Sequence, residues 1–525
     1  MSETATNSYD RTPYRSLPFP QTHPSRLGTI GTLLGMSPAP LENARILELG
    51  CASGGNLLPM ADQYQNATLI GIDGSALQIE DGNQALKAAG LTNVELRHQD
   101  ILEFESPEPF DYIICHGVYS WVPDNVQSRI LEIAKQSLAP NGLAYISYNT
   151  FPGWHMRGMI RDIMRFRASS FEDPDEQLAQ ARGLLTFLTN SIKSENNAYG
   201  LMLKNELESI SRADDSYLIH EHLEEINSPI YFHQFAERLA EKGLQYVGEA
   251  DFGVMSLDNF PDHVRGMLES VARSRIEVEQ YMDFLRNRAF RQTILTHADV
   301  QLDNAADPTR LLKLRVSSNA QPDQQIDAKS QDKVGFRRRG SVLTTTEPVV
   351  KAAMQHLAKV WPQSVPFTEL AATARSFVAG RPVPVDTEVM SDASRHLAKT
   401  LLRCFATSMI DLHLEQAPFV TRLAEMPVTS TLARAQAQRG ASVSNRLHEH
   451  QQLDDIQRFV LQQLDGGTNA ATLLERVTAA VTSGELLLFH PDGRKVEESE
   501  DLQAVLKDLL PHVVVSLAKR ALIVS

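Results

Sequence analysis

Residues 45–55 of the chain are RILELGCASGG, and this stretch decides the predicted fold. The short apolar segment from Arg45 to Gly50 predicts a buried strand that ends at a glycine. The glycines that follow allow a sharp turn and let the backbone approach a ligand closely. Their spacing is not G-x-G-x-x-G, so the turn does not favour the pyrophosphate of a dinucleotide.

Strand-like and helix-like segments alternate after this turn, which predicts an α/β fold with a Rossmann-like, doubly wound parallel sheet. The further strands are expected at residues 67–73, 94–98, 110–115 and 143–148, with helices at 75–89 and 125–138. A sheet that stopped at the fifth strand would expose an unpaired edge. Two late strand candidates, Leu244–Glu249 and Arg291–Thr296, are therefore predicted to pair antiparallel to each other beside it and complete the sheet.

The 525 residues exceed one hydrophobic core, so several domains are predicted. The predicted boundaries are 1–155 for the Rossmann-like core, 156–227 for a helical insertion, 228–303 for completion of the core sheet, 304–430 for a winged-helix-like middle domain and 431–525 for a helical C-terminal domain. The insertion is expected to act as a lid or a homodimer contact. The region from Glu347 onward is expected to be dispensable for binding a cofactor but needed for a macromolecular acceptor.

Composition excludes several classes of protein. A net charge of −15 disfavours a nucleic-acid partner, because phosphates repel an acidic surface. No apolar run approaches the ~18 residues of a membrane span, and the N-terminus lacks the apolar segment of a secretory signal. The three widely separated cysteines fit a reducing cytoplasm and argue against a disulfide framework or a cysteine-based metal site. A cytoplasmic location and no bound metal are therefore expected.

Two aspartates follow the next predicted strands at positions that suit a nucleoside. Asp73 ends the second strand about 20 residues after the glycine turn, where an acid binds ribose hydroxyls. Asp100 follows the third strand, where a carboxylate can accept a hydrogen bond from an adenine amino group. Each aspartate alone is also explained as a solvated loop or capping residue. The turn and both aspartates, in order at three successive strand ends, indicate a cofactor site.

This constellation resembles the class I S-adenosylmethionine-dependent methyltransferases over about residues 45–150. The resemblance implies S-adenosyl-L-methionine as the cofactor, with a methionine and ribose turn, an acid on the ribose and two residues beside the adenine. The implied cofactor-binding residues are Glu48, Gly50, Cys51, Ala52, Gly54, Asp73, Asp100 and Ile101. Ala52 stands where the family usually has a middle glycine, so weaker binding is expected.

Further motifs are similar to the rickettsial-type protein lysine methyltransferases, which carry a methyltransferase regulatory domain. HGVYSWVP at residues 116–123 and YNTFPGWH at 148–155 follow the fourth and fifth strands. Residues 217–224 and 231–251 are similar to the regulatory domain, and residues 443–465 to the tail of the same family. The resemblance implies lysine N-methylation of a protein acceptor by in-line methyl transfer.

The acceptor side needs a neutral nucleophile aligned with the methyl donor. A lysine amine, with an unperturbed pKa of about 10.4, must lose its proton, and aromatic faces can hold a cation. The catalytic candidates lie at or just after the ends of strands four and five: His116, Tyr119, Trp121, Tyr148, Asn149 and Trp154. His116 and His155 are the nearest bases, and the side-chain carbonyl of Asn149 is placed to orient an amine.

Other interpretations remain open. Tyr148 fits a strand core, Trp154 fits an anchor for the insertion, and His116 fits a packed, hydrogen-bonded histidine. The sequence HEH at residues 220–222 is not H-E-x-x-H, so a structural role is favoured over a metal site. The alternatives to a protein lysine methyltransferase are a small-molecule N- or O-methyltransferase and a cofactor-binding regulator without chemistry.

Overall fold

The computed structural model describes residues 16–212, 214–303, 305–489 and 500–525. Within these residues, a seven-stranded sheet has the order β3-β2-β1-β4-β5-β7-β6. Its strands are β1 Arg45–Leu49, β2 Thr68–Asp73, β3 Val94–His98, β4 Phe110–Cys115, β5 Leu138–Asn149, β6 Leu244–Glu249 and β7 Phe290–His297. The first five strands are parallel, and β7 lies antiparallel between β5 and β6. The predicted doubly wound sheet and its completion by a late antiparallel pair are confirmed.

Helices cover both faces of this sheet. The helices up to residue 286 are α1 Pro24–Leu33, α2 Leu57–Gln63, α3 Ala76–Ala89, α4 Asp124–Ser137, α5 Gly153–Ala168, α6 Pro174–Ser191, α7 Ala198–Ile210, α8 Asp215–Leu218, α9 Phe232–Glu241, α10 Asp262–Val271 and α11 Arg275–Arg286. Along β4, Tyr112 and Ile114 join the apolar cluster under α1–α3, while Ile113 and Cys115 join the cluster under α4 and α9. Strands buried on both faces are nearly continuous apolar runs, as the sequence pattern predicted.

The helical insertion begins directly after β5. Helices α5–α8 and a π-helical turn at Ile219–Leu223 pack around their own apolar cluster, which includes Ile160, Leu185 and Leu203. Between α5 and α6, Asp173 caps the start of α6 by accepting a hydrogen bond from the backbone amide of Glu176. The position of the insertion brings it over the carboxyl ends of the strands.

Smaller sheets and helices form the remainder of the described chain. The strands are β8 Arg315–Ser317, β9 Gln321–Pro322, β10 Val334–Arg338, β11 Ser341–Thr345, β12 Val365–Pro366, β13 Asp411–His413, β14 Ser442–Ser444 and β15 His450–Gln452. The helices are α12 Pro348–Val360, α13 Phe367–Ala379, α14 Asp392–Ala406, α15 Thr431–Arg439, α16 Asp455–Gln463, α17 Ala470–Thr482 and α18 Glu500–Lys519. Across the described ranges, none of the helices combines the length and apolar character that crossing a membrane requires.

The C-terminal unit, defined as residues 425–489 and 500–525, packs against the core. Leu432 and Ala435 of α15 belong to the same apolar cluster as residues of α2 and α3. Arg446 contacts Asp62 of α2 with Nη2 and Oδ2 3.0 Å apart. The C-terminal unit is therefore attached to the helices that follow β1 and β2.

Candidate cofactor and acceptor site

A cavity of about 850 Å³ opens at the carboxyl ends of the central strands. Residues that follow β1, β2, β3, β4 and β5 all line it. Strands β1 and β4 are neighbours at the centre of the sheet. From β1 the chain continues outward to β2 and β3, and from β4 it continues in the opposite direction to β5. Doubly wound sheets bind their ligands at this kind of switch point.

The turn after β1 forms one wall of the cavity and has a left-handed backbone. Gly50 has φ +75°, and a Cβ there would lie 2.4 Å from Cγ2 of Val118. Only glycine fits such a position without displacing its neighbour. Ala52 also has a positive φ, +48°, which costs about 1 kcal/mol for a residue with a Cβ. Gly54 shares the positive φ but packs on Leu96 beneath the turn and does not line the cavity.

Asp73, at the end of β2, ties this turn to the next helix. Its Oδ2 accepts a hydrogen bond from the Ala52 amide at 2.8 Å, and its Oδ1 accepts one from the Ser75 amide at 2.8 Å. Ser75 in turn caps α3 by accepting from the amide of Gln78. The carboxylate is thereby fixed on the cavity wall. Beside it, burial raises the pKa of the Cys51 thiol well above its ordinary value, so Cys51 contributes a neutral surface.

Glu48 is a buried carboxyl on the same wall, only 3% exposed. Burial raises its pKa to about 8, against the bond from Asn56 and with a further contribution from Asp73. Its Oε1 accepts from Asn56 Nδ2 at 2.8 Å, while Oε2 has no hydrogen-bond partner among the residues described. A buried carboxyl whose second oxygen has no partner among the described residues suits a cationic ligand group, because the positive charge of the ligand would stabilise the ionised carboxylate.

Asp100 and Ile101 also line the cavity. Asp100 caps the short turn after β3 by accepting from the amide of Leu102 at 2.8 Å. Val122, just before α4, and Val126, in its first turn, line the cavity as well and pack against the same apolar cluster as Ile101. An apolar slot with a carboxylate at its edge can accommodate a flat aromatic ring that carries an amino group.

An N-terminal segment that sequence analysis assigned no function also covers the cavity. Ser16, Leu17, Phe19 and Gln21 line it. The Ser16 hydroxyl accepts from the amide of Gly55 at 2.7 Å. No sequence motif marks this segment, so only the folded chain reveals it.

Three of the predicted acceptor-side residues lie on the cavity wall: His116, Trp121 and Asn149. His116 Nδ1 lies 3.0 Å from the Tyr145 hydroxyl and 3.2 Å from Ser147 Oγ. Burial lowers the pKa of His116 to about 4, so the imidazole is neutral near pH 7. Asn149 Nδ2 donates to the side-chain Oδ1 of Asn227 at 3.0 Å, so the Nδ2 atom of Asn149 is engaged by the protein and its Oδ1 is the side-chain atom that can accept from a ligand.

The other three catalytic candidates, Tyr119, Tyr148 and Trp154, do not line the cavity, and their side chains are at most 2% exposed. Tyr148 stacks on Phe235 of α9 with ring centroids 4.1 Å apart, and Tyr119 meets the same ring edge-on. Trp154 packs edge-on against Trp121. The side chain of Tyr148 is on the α9 face of the sheet, so the strand-core interpretation describes it.

The helical insertion adds charged groups that sequence analysis did not place in the site. Arg157, His220 and Glu221 line the cavity. Arg157 Nη1 lies 3.2 Å from Glu221 Oε1. Burial raises the pKa of Glu221, and the attraction of Arg157 only partly opposes it. The His220 ring bonds Glu224 through Nδ1 at 2.8 Å. Strand β7 adds Phe290 and Gln292 to the same wall.

Comparison with known proteins identifies the family. Three family models match the chain: a methyltransferase domain over residues 40–208, a predicted methyltransferase regulatory domain over 214–297, and a PKMT C-terminal winged helix domain over 425–522. The structure of PKMT2 from Rickettsia typhi is 31% identical, covers 98% of this chain and 100% of its own, and superposes with a TM-score of 0.87. The same protein in complex with AdoHcy gives 0.86. The uncharacterized protein RP789 of Rickettsia prowazekii is 34% identical over 99% of this chain and 94% of its own length.

The chain belongs to the class I S-adenosylmethionine-dependent methyltransferases. It is an enzyme of that class with S-adenosyl-L-methionine as its cofactor. In this methyltransferase the winged-helix model covers the C-terminal unit, whereas sequence analysis assigned the winged-helix-like domain to residues 304–430. The hairpin strands β14 and β15 have three residues each and are mostly polar, so they carry no alternating pattern that would mark a wing.

Proposed function

We propose that the methyltransferase transfers a methyl group to the side-chain amine of lysine in a protein. The observation that carries this proposal is a set of cavity-lining groups outside the implied cofactor-binding residues. Asn149 supplies an amide oxygen, Glu221 a half-buried carboxyl, and Trp121 and Phe290 aromatic surface. These are groups that bind an amine on an apolar stem.

The remaining walls would hold the cofactor. Glu48, whose Oε2 has no partner among the described residues, would hold the methionine ammonium. Asp73 would hold the ribose, and Asp100 and Ile101 would flank the adenine. When bound, S-adenosylmethionine supplies an electrophilic methyl group on a sulfonium.

The protein's own residues would prepare the acceptor amine. A desolvated cavity lowers the pKa of a lysine that enters it. The positive charge of Arg157 acts in the same direction, and a negative charge on its partner Glu221 acts in the opposite one. The carbonyl oxygen of Asn149 would then accept a hydrogen bond from the neutral amine and align its lone pair. His116, with a pKa of about 4, is some six pH units too weak to deprotonate a lysine of ordinary pKa. We therefore assign His116 to the cavity wall rather than to the role of general base.

The support for a protein acceptor comes from the relatives. The C-terminal unit matches a PKMT winged helix domain, and the whole chain is similar to PKMT2. A domain of this size beyond the methyltransferase core is in keeping with a macromolecular acceptor.

The test is a radiolabel assay with the methyl-labelled cofactor and a cell lysate, separated into protein, lipid and small-molecule fractions. Label in protein that is released as methyllysine on acid hydrolysis is the expected result. Label confined to small molecules would contradict the proposal.

Two variants test the acceptor wall. Asn149→Ala and Glu221→Gln are expected to lower turnover about tenfold or more, while the Kd for AdoHcy stays within about twofold, because they remove interactions with the acceptor alone. Glu208→Gln, an exposed carboxylate on α7, is the matched control. Full activity of both wall variants would remove these residues from the mechanism.

A further inference from the structure

His448 of the C-terminal unit reaches the back of the cofactor site. It lies in the turn between β14 and β15, is 2% exposed, and its Nε2 is 2.7 Å from Oδ1 of Asn56. Asn56 itself lines the cofactor cavity. One residue therefore connects the winged-helix unit to the wall that holds Glu48.

The hydrogen bonds around Asn56 fix the direction of its amide. Its Oδ1 accepts from the backbone amide of Phe19 at 3.0 Å and from His448. Its Nδ2 donates to Glu48 Oε1 at 2.8 Å and to the Thr22 hydroxyl at 3.0 Å. Reversing the amide would face its NH₂ group with the backbone N–H of Phe19, which can only donate, so Nδ2 points at Glu48 and His448 Nε2 carries the proton that Oδ1 accepts. This bond occupies Oε1 and leaves Oε2 for a ligand.

The turn that carries His448 is built to hold it in this position. His448 has φ +58°, an unfavourable conformation for a residue with a Cβ. The side-chain oxygen of Asn445 accepts from the amides of Leu447 and Glu449, and Arg446 is paired with Asp62 of the core. The His448 ring also packs against His23 of the N-terminal segment, with centroids 4.9 Å apart.

We propose that His448 is a positioning residue for the cofactor: through Asn56 it orients Glu48 toward the amino-acid part of S-adenosylmethionine. The C-terminal unit is then a component of the cofactor site as well as an attached domain. This contact argues against the expectation that the region from Glu347 is dispensable for cofactor binding. The inference depends on the cofactor and is independent of which acceptor the enzyme uses.

Two ligands distinguish positioning from a general structural role. AdoHcy carries the amino-acid part, whereas 5′-methylthioadenosine has the same adenosine without the ammonium and carboxylate. With the full-length protein and isothermal titration calorimetry, His448→Ala should weaken AdoHcy about tenfold, the size expected for one buried hydrogen bond. Binding of 5′-methylthioadenosine should change by less than about twofold.

Matched variants complete the experiment. His448→Gln retains an N–H donor and should restore most of the AdoHcy affinity. His450→Ala, in the same hairpin but bonded to Ser442, is the control and should bind both ligands normally. If His448→Ala does not fold, His448→Asn, which is too short to reach Asn56, takes its place.

A double-mutant cycle provides the decisive result. In a Glu48→Gln background, His448→Ala should cause little further loss of AdoHcy affinity, because the two residues act on one contact. Additive losses would overturn the proposal. Equal weakening of AdoHcy and 5′-methylthioadenosine by His448→Ala would overturn it too.

Discussion

Arg291 is the fully buried centre of an ion-pair network that joins β6, β7 and α11. Its guanidinium lies 2.7 Å from Glu249 Oε1, 2.8 Å from Asp283 Oδ2 and 3.1 Å from Glu279 Oε2. Arg288 also approaches Glu249 and Asp283, at 3.7 and 3.3 Å. The negative charges of these three buried carboxyl groups are therefore balanced mainly by the guanidinium of Arg291.

We expect Arg291→Met to lower the free energy of unfolding by about 3–5 kcal/mol, the cost of removing one partner from a buried ion pair. Burial raises the pKa of Glu249, but the attraction of Arg291 and Arg288 outweighs it and holds that pKa below its ordinary value. Without Arg291, the pKa of the folded carboxyl should rise above the unfolded value. A carboxyl whose pKa is higher in the folded than in the unfolded state does not destabilise the fold below the unfolded pKa, and lowers the free energy of unfolding as the pH rises above it. The deficit should therefore be larger near pH 7.5 than near pH 4.5.

Differential scanning calorimetry of the full-length protein at about pH 7.5 and about pH 4.5 measures both effects. At ~2–4 °C per kcal/mol for a folding unit of this size, the shift at the higher pH should be roughly 6–20 °C. Arg273→Met, an exposed arginine before α11, is the matched control. A shift below about 2 °C at both pH values would refute the argument, and equal large shifts would assign the loss to packing instead of charge.

Four further outcomes are expected. Asp73→Ala should abolish the thermal shift that AdoHcy produces, whereas NADH should produce none even in the wild type; a retained AdoHcy shift would contradict the assignment. Burial lowers the pKa of His23 to about 3 and of His116 to about 4, so the free energy of unfolding should fall by about 3 kcal/mol per histidine between pH 6.5 and pH 4, and the urea midpoint should fall with it. A midpoint that does not change over this range would exclude these values. Deleting residues 425–525 should weaken AdoHcy binding, and unchanged calorimetric affinity would restore the view that this region is dispensable. If the insertion forms a homodimer, Phe166→Asp, at a side chain 81% exposed, should yield a monomer by light scattering; a monomeric wild type would end that prediction.

The central sheet was predictable because each strand carries its own signal. Residues 94–98 and 110–115 have the predicted strand bounds, and β7 extends the predicted segment by one residue at each end. The segment from Pro140 to Gly142 has the composition of a turn, yet it lies within β5. The pairing of β5 with β4 shifts register there, from Leu138 opposite Phe110 to Leu143 opposite Tyr112, so the turn-like segment is an irregularity inside the strand. Its Gly142 carbonyl accepts a hydrogen bond from the Thr296 hydroxyl of β7 at 2.8 Å.

The cofactor side was predictable for a related reason. Glycines and acids at successive strand ends are brought together by the parallel topology itself, so their order along the chain implies their proximity. Asn56, Arg157, Glu221 and Phe19 have no such order, because they reach the cavity from a helix start, an insertion and the N-terminal segment. Tyr148 was a catalytic candidate but packs in the core, because a position near a strand end does not determine which face of the strand the side chain occupies.

The placement of β7 between β5 and β6 has a consequence for synthesis of the chain. The edge of β5 is complete at Asn149, but its neighbour begins only at Phe290, about 140 residues later. At ~5–20 residues per second, the ribosome leaves that edge unpaired for roughly 7–28 s. Strand β6 emerges earlier but has no place in the sheet until β7 arrives. An open, apolar strand edge is a site for intermolecular pairing, so newly made chains pass through an aggregation-sensitive interval that closes when residue 297 leaves the exit tunnel.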